Sequence, residues 1–129
     1  MFVFVTTCFN CEKFIERCIK SVLSQNYKDW SMYIIDDASH DKSAEIAKSF
    51  ETQDKRIHVI ENKNNLGAVY NKTLNFVKHA HPEDEDVIIT LDGDDWLAHE
   101  NVLTDLAKVD NLWGFSIQRI IQQEFLQPS

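Results

Sequence analysis

Cysteine is scarce in this chain and badly placed for stapling a fold. The three cysteines stand at positions 8, 11 and 18, an odd number crowded near the N-terminus, which excludes a disulfide framework spanning a domain. A reducing compartment fits that usage, so the expected location is cytoplasmic, with attachment to the periphery of a membrane as the variant. Cys8-Phe9-Asn10-Cys11 has the spacing of a redox pair or of half a zinc site. Its context is missing, because no second pair occurs at finger spacing and the five histidines are scattered. Long apolar runs are lacking as well. The run Met1-Phe2-Val3-Phe4-Val5 has no basic flank and is too short for a signal peptide or a membrane span, and it reads as a buried strand. Positive charge is in deficit, 13 Lys+Arg against 21 Asp+Glu for a net charge of -8, which argues against binding nucleic acid. A small anionic ligand remains compatible with that balance if a divalent cation comes with it. With 129 residues the chain has room for one core and not for two ordinary domains.

What is present is an alternation of periods. Phe2 to Thr6 is β-rich, and from Cys11 onward Phe14, Ile15, Cys18, Ile19, Val22 and Leu23 form one helical stripe, with Asn10 suited to the N-cap and Glu12 to the first turn. Trp30 to Ile35 is again strand-like, and the polar turn Asp36-Asp37-Ala38-Ser39 leads into a helix bearing Ala44, Ala47 and Phe50. Arg56 to Ile60 predicts a third strand. After an Asn-rich turn, Leu66, Val69, Tyr70, Thr73, Leu74 and Val77 recur at helical spacing. The acidic stretch 83–86 reads as a solvated loop before the nearly all-apolar Val87-Ile88-Ile89-Thr90-Leu91, a strand covered on both faces. Strands alternating with helices predict an α/β fold with a mostly parallel sheet, whose ligands bind at the carboxyl ends of the strands. That rule gathers four polar clusters at one edge: residues 7–10, 36–37, 62–67 and 92–95.

Asp92, Asp94 and Asp95 crowd into four positions directly after the fourth strand, where like charges repel unless a cation sits among them. Mn2+ or Mg2+ takes few protein carboxylates and completes its shell with phosphate oxygens and water, so the pattern suits a nucleoside diphosphate. Gly93 lets the backbone approach closely. A calcium loop starting at Asp92 would need Gly and Glu where Leu97 and Leu103 stand. A phosphohydrolase using an Asp nucleophile places its pair on the first strand, and a phospho-accepting receiver domain places its acidic pair earlier than Asp36-Asp37.

Four segments, Val5-Thr6-Thr7-Cys8-Phe9-Asn10, Ile34-Ile35-Asp36-Asp37-Ala38-Ser39-His40-Asp41, Asn64-Asn65-Leu66-Gly67 and Leu91-Asp92-Gly93-Asp94-Asp95-Trp96, resemble the successive motifs of family 2 inverting glycosyltransferases. Ser21-Val22-Leu23-Ser24-Gln25 at the end of the first helix matches the same pattern. The resemblance covers about residues 1–108 and implies a three-layer α/β/α, Rossmann-like fold of the GT-A type, incomplete in its acceptor-binding part, with residues 109–129 as an atypical tail. It implies a nucleotide-diphosphate sugar as donor, linked to uridine or guanosine, and a sugar or glycan as acceptor. Residues matching Thr7 and Phe9 border the nucleobase there, Asn10 belongs to the same motif, and Asp37 hydrogen-bonds the base. Asn65, Gly67 and Asp92 belong to the donor loops, Asp94 meets ribose or metal, and Asp95 binds the Mn2+ or Mg2+ that bridges the phosphates. Two departures stand out: Ala68-Val69-Tyr70-Asn71 is shorter than the family pattern and lacks its arginine, and no catalytic base is identified, Glu124 being the one carboxylate after Asp110. Ile117, Ile120, Ile121 and Phe125 have helical spacing, and a sheet edge left open, or the tail itself, would favour a homo-oligomer. Trp96 is expected to pack under the acidic loop, and His99 to lie on the surface at the start of a helix.

Overall fold

The computed structural model describes residues 1–113 and 120–121. Five strands, β1 (Phe2–Cys8), β2 (Trp30–Asp36), β3 (Ile57–Glu61), β4 (Val87–Thr90) and β5 (Ile120–Ile121), form one sheet in the order β3-β2-β1-β4-β5. Every pairing is parallel. The chain builds outward from β1 through β2 to β3 and then returns to the other side of β1 for β4. The carboxyl ends of β1 and β4 therefore flank the point where the strand order reverses, the place where open parallel sheets bind ligands.

Alternation along the strands splits the apolar residues between two faces. Phe2, Phe4, Trp30, Met32, Ile34, Val87 and Ile89 face the larger core under helices α1 (Ile15–Leu23), α2 (Ser43–Glu51) and α5 (Val102–Trp113). Val3, Val5 and Ile35 face a smaller one, where Phe76 is the buried helical contribution. This second layer is a helical segment in three parts: α3 (Ala68–Tyr70), a π-helical turn (Asn71–Asn75) and α4 (Phe76–Ala80). His81, with φ 48°, ends it in the left-handed conformation just before Pro82. Helices on both faces of a parallel sheet give the three-layer architecture expected from the motifs.

The structure departs from the sequence pattern in four places. Asn10 is not the N-cap of α1, because that helix starts at Ile15 and Asn10 sits in a turn at φ 52°. Cys8 and Cys11, expected to stay unpaired, form a disulfide with sulfurs 2.18 Å apart, the turn through Asn10 having brought their Cα atoms to 6.0 Å. The apolar stripe at 66–77 does not face the core. Val69 and Leu74 are 79% and 68% exposed, while Asn71 and Asn75 are buried. The reason is a polar network: Asn75 Nδ2 donates to Asn62 Oδ1 and to Asn71 Oδ1, and Asn62 Nδ2 donates to Asn71 Oδ1 and to Asp37 Oδ1. Those bonds pair the Asn75 amide nitrogen and the Asn71 carbonyl oxygen, though Asn71 Nδ2 is left without a partner among the described residues, and they outweigh helical amphipathicity. Last, Ile120 and Ile121 are strand rather than helix, pairing with Ile88 and Ile89 of β4. The rest of the expected tail helix, Ile117, Phe125 and Glu124 included, lies outside the described residues.

Candidate nucleotide and metal site

Two hollows adjoin at the carboxyl edge of the sheet. The first, about 240 Å³, is lined by Thr7, Cys8, Phe9, Asp37, Asn65, Gly67, Ala68 and Asn71. The second, about 230 Å³, is lined by Thr7, Phe9, Asn10, Cys11, Phe14, Asp92, Gly93 and Asp94. Thr7 and Phe9 belong to both, so the end of β1 is a shared wall. All the residues expected in the site except Asp95 line one hollow or the other, and Asp95 completes the acidic cluster beside the second.

In the first hollow Asp37 organises the wall. Its Oδ1 accepts from Leu66 N at 2.7 Å and its Oδ2 from Gly67 N at 3.0 Å, while its own backbone N–H donates to the Cys8 carbonyl at 2.8 Å. Burial pushes the Asp37 carboxyl pKa up, but hydrogen bonds from Leu66 N, the Asn62 amide and Gly67 N outweigh it, and the net value lies below the ordinary carboxylate range. Gly67 has φ 90°, a conformation that L side chains rarely adopt, which fixes glycine at this corner. Asp36, one residue earlier, instead holds its own turn by accepting from Ser39 Oγ at 2.6 Å and Ser39 N at 3.1 Å. Phe9 is 49% exposed, so a face of its ring is available for stacking on a flat ligand. Asn10 bridges to the second turn, its N–H donating to Ser39 Oγ and its Oδ1 accepting from His40 N.

The second hollow belongs to the acidic turn after β4. Asp92, Asp94 and Asp95 each bring a carboxylate oxygen within 4.8 Å of the others. Thr7 Oγ1 donates to Asp92 Oδ1 at 3.3 Å, Lys72 Nζ approaches the same oxygen at 3.0 Å, and Gly93 N donates to the Thr7 carbonyl at 2.9 Å. A Cβ on Gly93 would stand 2.8 Å from Cys11 Sγ and 3.2 Å from the Thr7 carbonyl oxygen, so space rather than backbone torsion demands glycine there. Beneath the turn lies the buried Cys18 thiol. Burial raises its pKa strongly, and the charges of Asp95, Asp92 and Asp94 add to the rise, a sign of the negative potential the cluster projects.

Residues 97–103, just past the acidic turn, are tied to α1. Gln25, fully buried, donates through Nε2 to the His99 carbonyl at 2.7 Å and accepts at Oε1 from Leu103 N at 3.1 Å. Ser21 Oγ accepts from Leu97 N at 3.0 Å. The Ser-Val-Leu-Ser-Gln segment is thus the anchor of this stretch. Trp96 is half-buried with the Arg17 guanidinium 3.5 Å above its ring. His99 is exposed, and its Nδ1 accepts from Asn101 N, away from the acidic cluster's ligand set. In the 83–86 stretch Asp86 is buried, accepting from Glu83 N at 2.8 Å and pairing with the N-terminal amine at 3.5 Å.

Sequence reasoning does not single out Asn62, Asn71 or Lys72. Asn62 falls in the polar cluster 62–67 and Asn71 closes the shortened motif, neither with a role of its own, and Lys72 comes just after that motif without matching it. The signal that could have exposed the asparagines is two of them four apart, Asn71 and Asn75, on one helix face.

Comparison with known proteins places the chain. A family model described as glycosyl transferase family 2 matches residues 3–112. Glycosyltransferase GlyA of Streptococcus pneumoniae is 32% identical over 102 residues, covering 78% of this chain and 14% of that protein. A putative glycosyltransferase of Bacillus subtilis, EpsE, is 41% identical over 90 residues, covering 67% of this chain and 30% of that protein. The chain therefore spans less than a third of the length of these curated relatives. Among solved structures, S. aureus TarS 1-349 in complex with UDP superposes with a TM-score of 0.74 at 20% identity over 86% of this chain and 32% of that one. The mannosyltransferase PcManGT from Pyrobaculum calidifontis, in complex with GDP-Man and Mn2+, gives 0.69 at 17% identity over 83% and 31%. These structural likenesses establish the GT-A fold. With the family model spanning most of its length and relatives above 30% identity agreeing, the chain belongs to glycosyl transferase family 2.

Proposed function

We propose that this chain is the donor-binding part of a metal-dependent, inverting glycosyltransferase that uses a UDP- or GDP-linked sugar and a sugar or glycan acceptor. The observation that carries the reading is the shared wall at the end of β1, which makes a nucleobase-sized hollow continuous with an acidic cluster. A base stacked on Phe9 and edged by Thr7, Asn10 and the 65–67 loop would have its ribose at Asp94 and its diphosphate over the acidic turn. Asp37 faces the same hollow and holds its wall. The UDP and GDP-Man bound in the two structural relatives support this class of donor.

The donor set fits a hard divalent cation. Three carboxylate oxygens converge, and their mutual repulsion calls for positive charge among them. Asp95 and Asp94 would hold Mn2+ or Mg2+, with Asp92 beside them. When bound, the metal offsets negative charge that develops on the leaving nucleoside diphosphate. The chain's own residues do the rest: Phe9 and the 62–67 loop orient the base, and the Thr7–Asp92 and Thr7–Gly93 bonds fix the distance between base hollow and acidic turn. The acceptor hydroxyl needs a general base to remove its proton, and none of the site residues described is given that role.

Calorimetric titration tests the proposal. UDP or GDP is expected to bind in the presence of Mn2+, and Asp95→Ala to weaken that binding by about 100-fold through loss of a metal ligand. Absence of Mn2+-dependent binding of either nucleotide to the unaltered chain would sink it.

A further inference from the structure

Three carboxylates and a diphosphate carry more negative charge than one divalent ion balances, so a basic side chain beside the metal would favour the diphosphate. Among the described residues, Arg17 and Lys72 stand near the acidic turn. The Arg17 guanidinium lies over the Trp96 ring at 3.5 Å and over the Phe14 ring at 5.8 Å. Lys72 engages the cluster directly, its Nζ 3.0 Å from Asp92 Oδ1. Its placement comes from the helix it sits on. The π-helical turn at Asn71–Asn75 carries Asn71 and Asn75 inward to the Asp37 network and leaves Lys72 reaching toward the acidic turn. Single π turns of this kind recur at functional sites because they re-aim side chains. Asn71, the preceding residue, lines the base hollow, so Lys72 stands where the two hollows meet.

We propose that Lys72 is an exchangeable counter-ion: it holds Asp92 while the acidic cluster is free of metal, and moves to the donor diphosphate once a divalent cation takes the carboxylates. The proposal rests on the donor-binding reading above. Both partners of the ion pair are partly exposed, 30% and 45% for their side chains, and such pairs are weak and readily exchanged. Its flexible stem and compact ammonium suit a charge that must swing between two anions. It also supplies a phosphate partner on the segment where the family's arginine is missing.

The two halves of the proposal predict effects of opposite sign. Lys72→Met should tighten Mn2+ titrated alone, because the metal no longer displaces an ammonium. The same variant should weaken inorganic pyrophosphate titrated with saturating Mn2+ by roughly tenfold, as expected for removing one charge-assisted partner. Lys72→Arg should restore most of the pyrophosphate affinity. Lys78→Met, an exposed lysine further along the same segment, controls for net charge and should change neither constant, and thermal melting checks that each variant folds. Weaker Mn2+ binding in Lys72→Met, an unaltered pyrophosphate affinity, or an equal effect from Lys78→Met would overturn the proposal. These arms use metal and pyrophosphate without a nucleobase, so they read separately from a failure of the chain to bind UDP or GDP.

Discussion

The two faces of the sheet are built to different rules. Under α1, α2 and α5 the core is continuous and apolar, from Phe2 and Trp30 to Leu103 and Leu106. Under the 68–80 segment the buried cluster among the described residues is Val3, Val5, Ile35 and Phe76, and the contact is completed by Asn62, Asn71, Asn75 and Asp37. Each half of the candidate site hangs from one of these faces. The acidic turn is anchored through Leu97, Gln25 and Leu103 to the apolar side, whereas the base hollow and Lys72 rest on the polar side. Apolar packing supplies stability without direction, while a hydrogen-bonded network fixes geometry at less net stabilisation. The acidic half of the candidate site accordingly rests on the larger apolar core, and the half around Asp37 is held in shape by a few specific bonds.

Substitutions sharpen that contrast. The largest effect is expected on the apolar side: Leu103→Ala empties a fully buried position and should lower unfolding free energy by about 2–5 kcal/mol, read from urea denaturation. Asp37→Asn comes next, replacing one of the two acceptor oxygens that hold Leu66 N and Gly67 N with a donor. It should cost about 1–3 kcal/mol, and calorimetry should show nucleotide affinity falling while affinity for Mn2+ alone stays close to that of the unaltered chain. Equal losses in both constants would break the division between the halves.

The same residue gives a pH signature. Because the Asp37 pKa is depressed in the folded chain, its contribution to stability is complete above the unfolded value of 3.8 and is lost as pH falls through the lower folded value. Urea midpoints tracked from neutral pH into that range should therefore drop less steeply for Asp37→Asn than for the unaltered chain, and parallel curves would contradict the assignment. The smallest effect belongs to the outward stripe, where Leu74→Lys should change stability by no more than about 0.5 kcal/mol.

The contrast also explains what is legible in the sequence. The succession of strands and the gathering of polar ends at one edge can be read because β1, β2 and β4 are apolar enough to be recognised and because parallel sheets place ligands by rule. Asp92, Asp94, Asp37 and Phe9 sit at strand ends, so strand positions alone bring them together. The 68–80 segment misleads in orientation, since Leu66, Val69, Leu74 and Val77 have the spacing of a buried stripe and only the long-range bonds from Asp37 and Asn62 turn Asn71 and Asn75 inward instead. Asn10 misleads for a similar reason. It has the composition of a cap, but its partners, Ser39 and His40, lie about thirty residues away in sequence. Lys72 carries no local signal at all, because its meaning depends on a contact with Asp92 from a different layer of the fold.

The most direct test of the donor site is a crystal soaked with Mn2+ and UDP or GDP and read by anomalous scattering from the metal. The metal is expected on Asp95 and Asp94, the diphosphate beside it, and the base against Phe9 in the hollow walled by Asp37 and Gly67. A metal bound at another acidic stretch such as 83–86, or a nucleotide seated away from Phe9, would contradict that assignment.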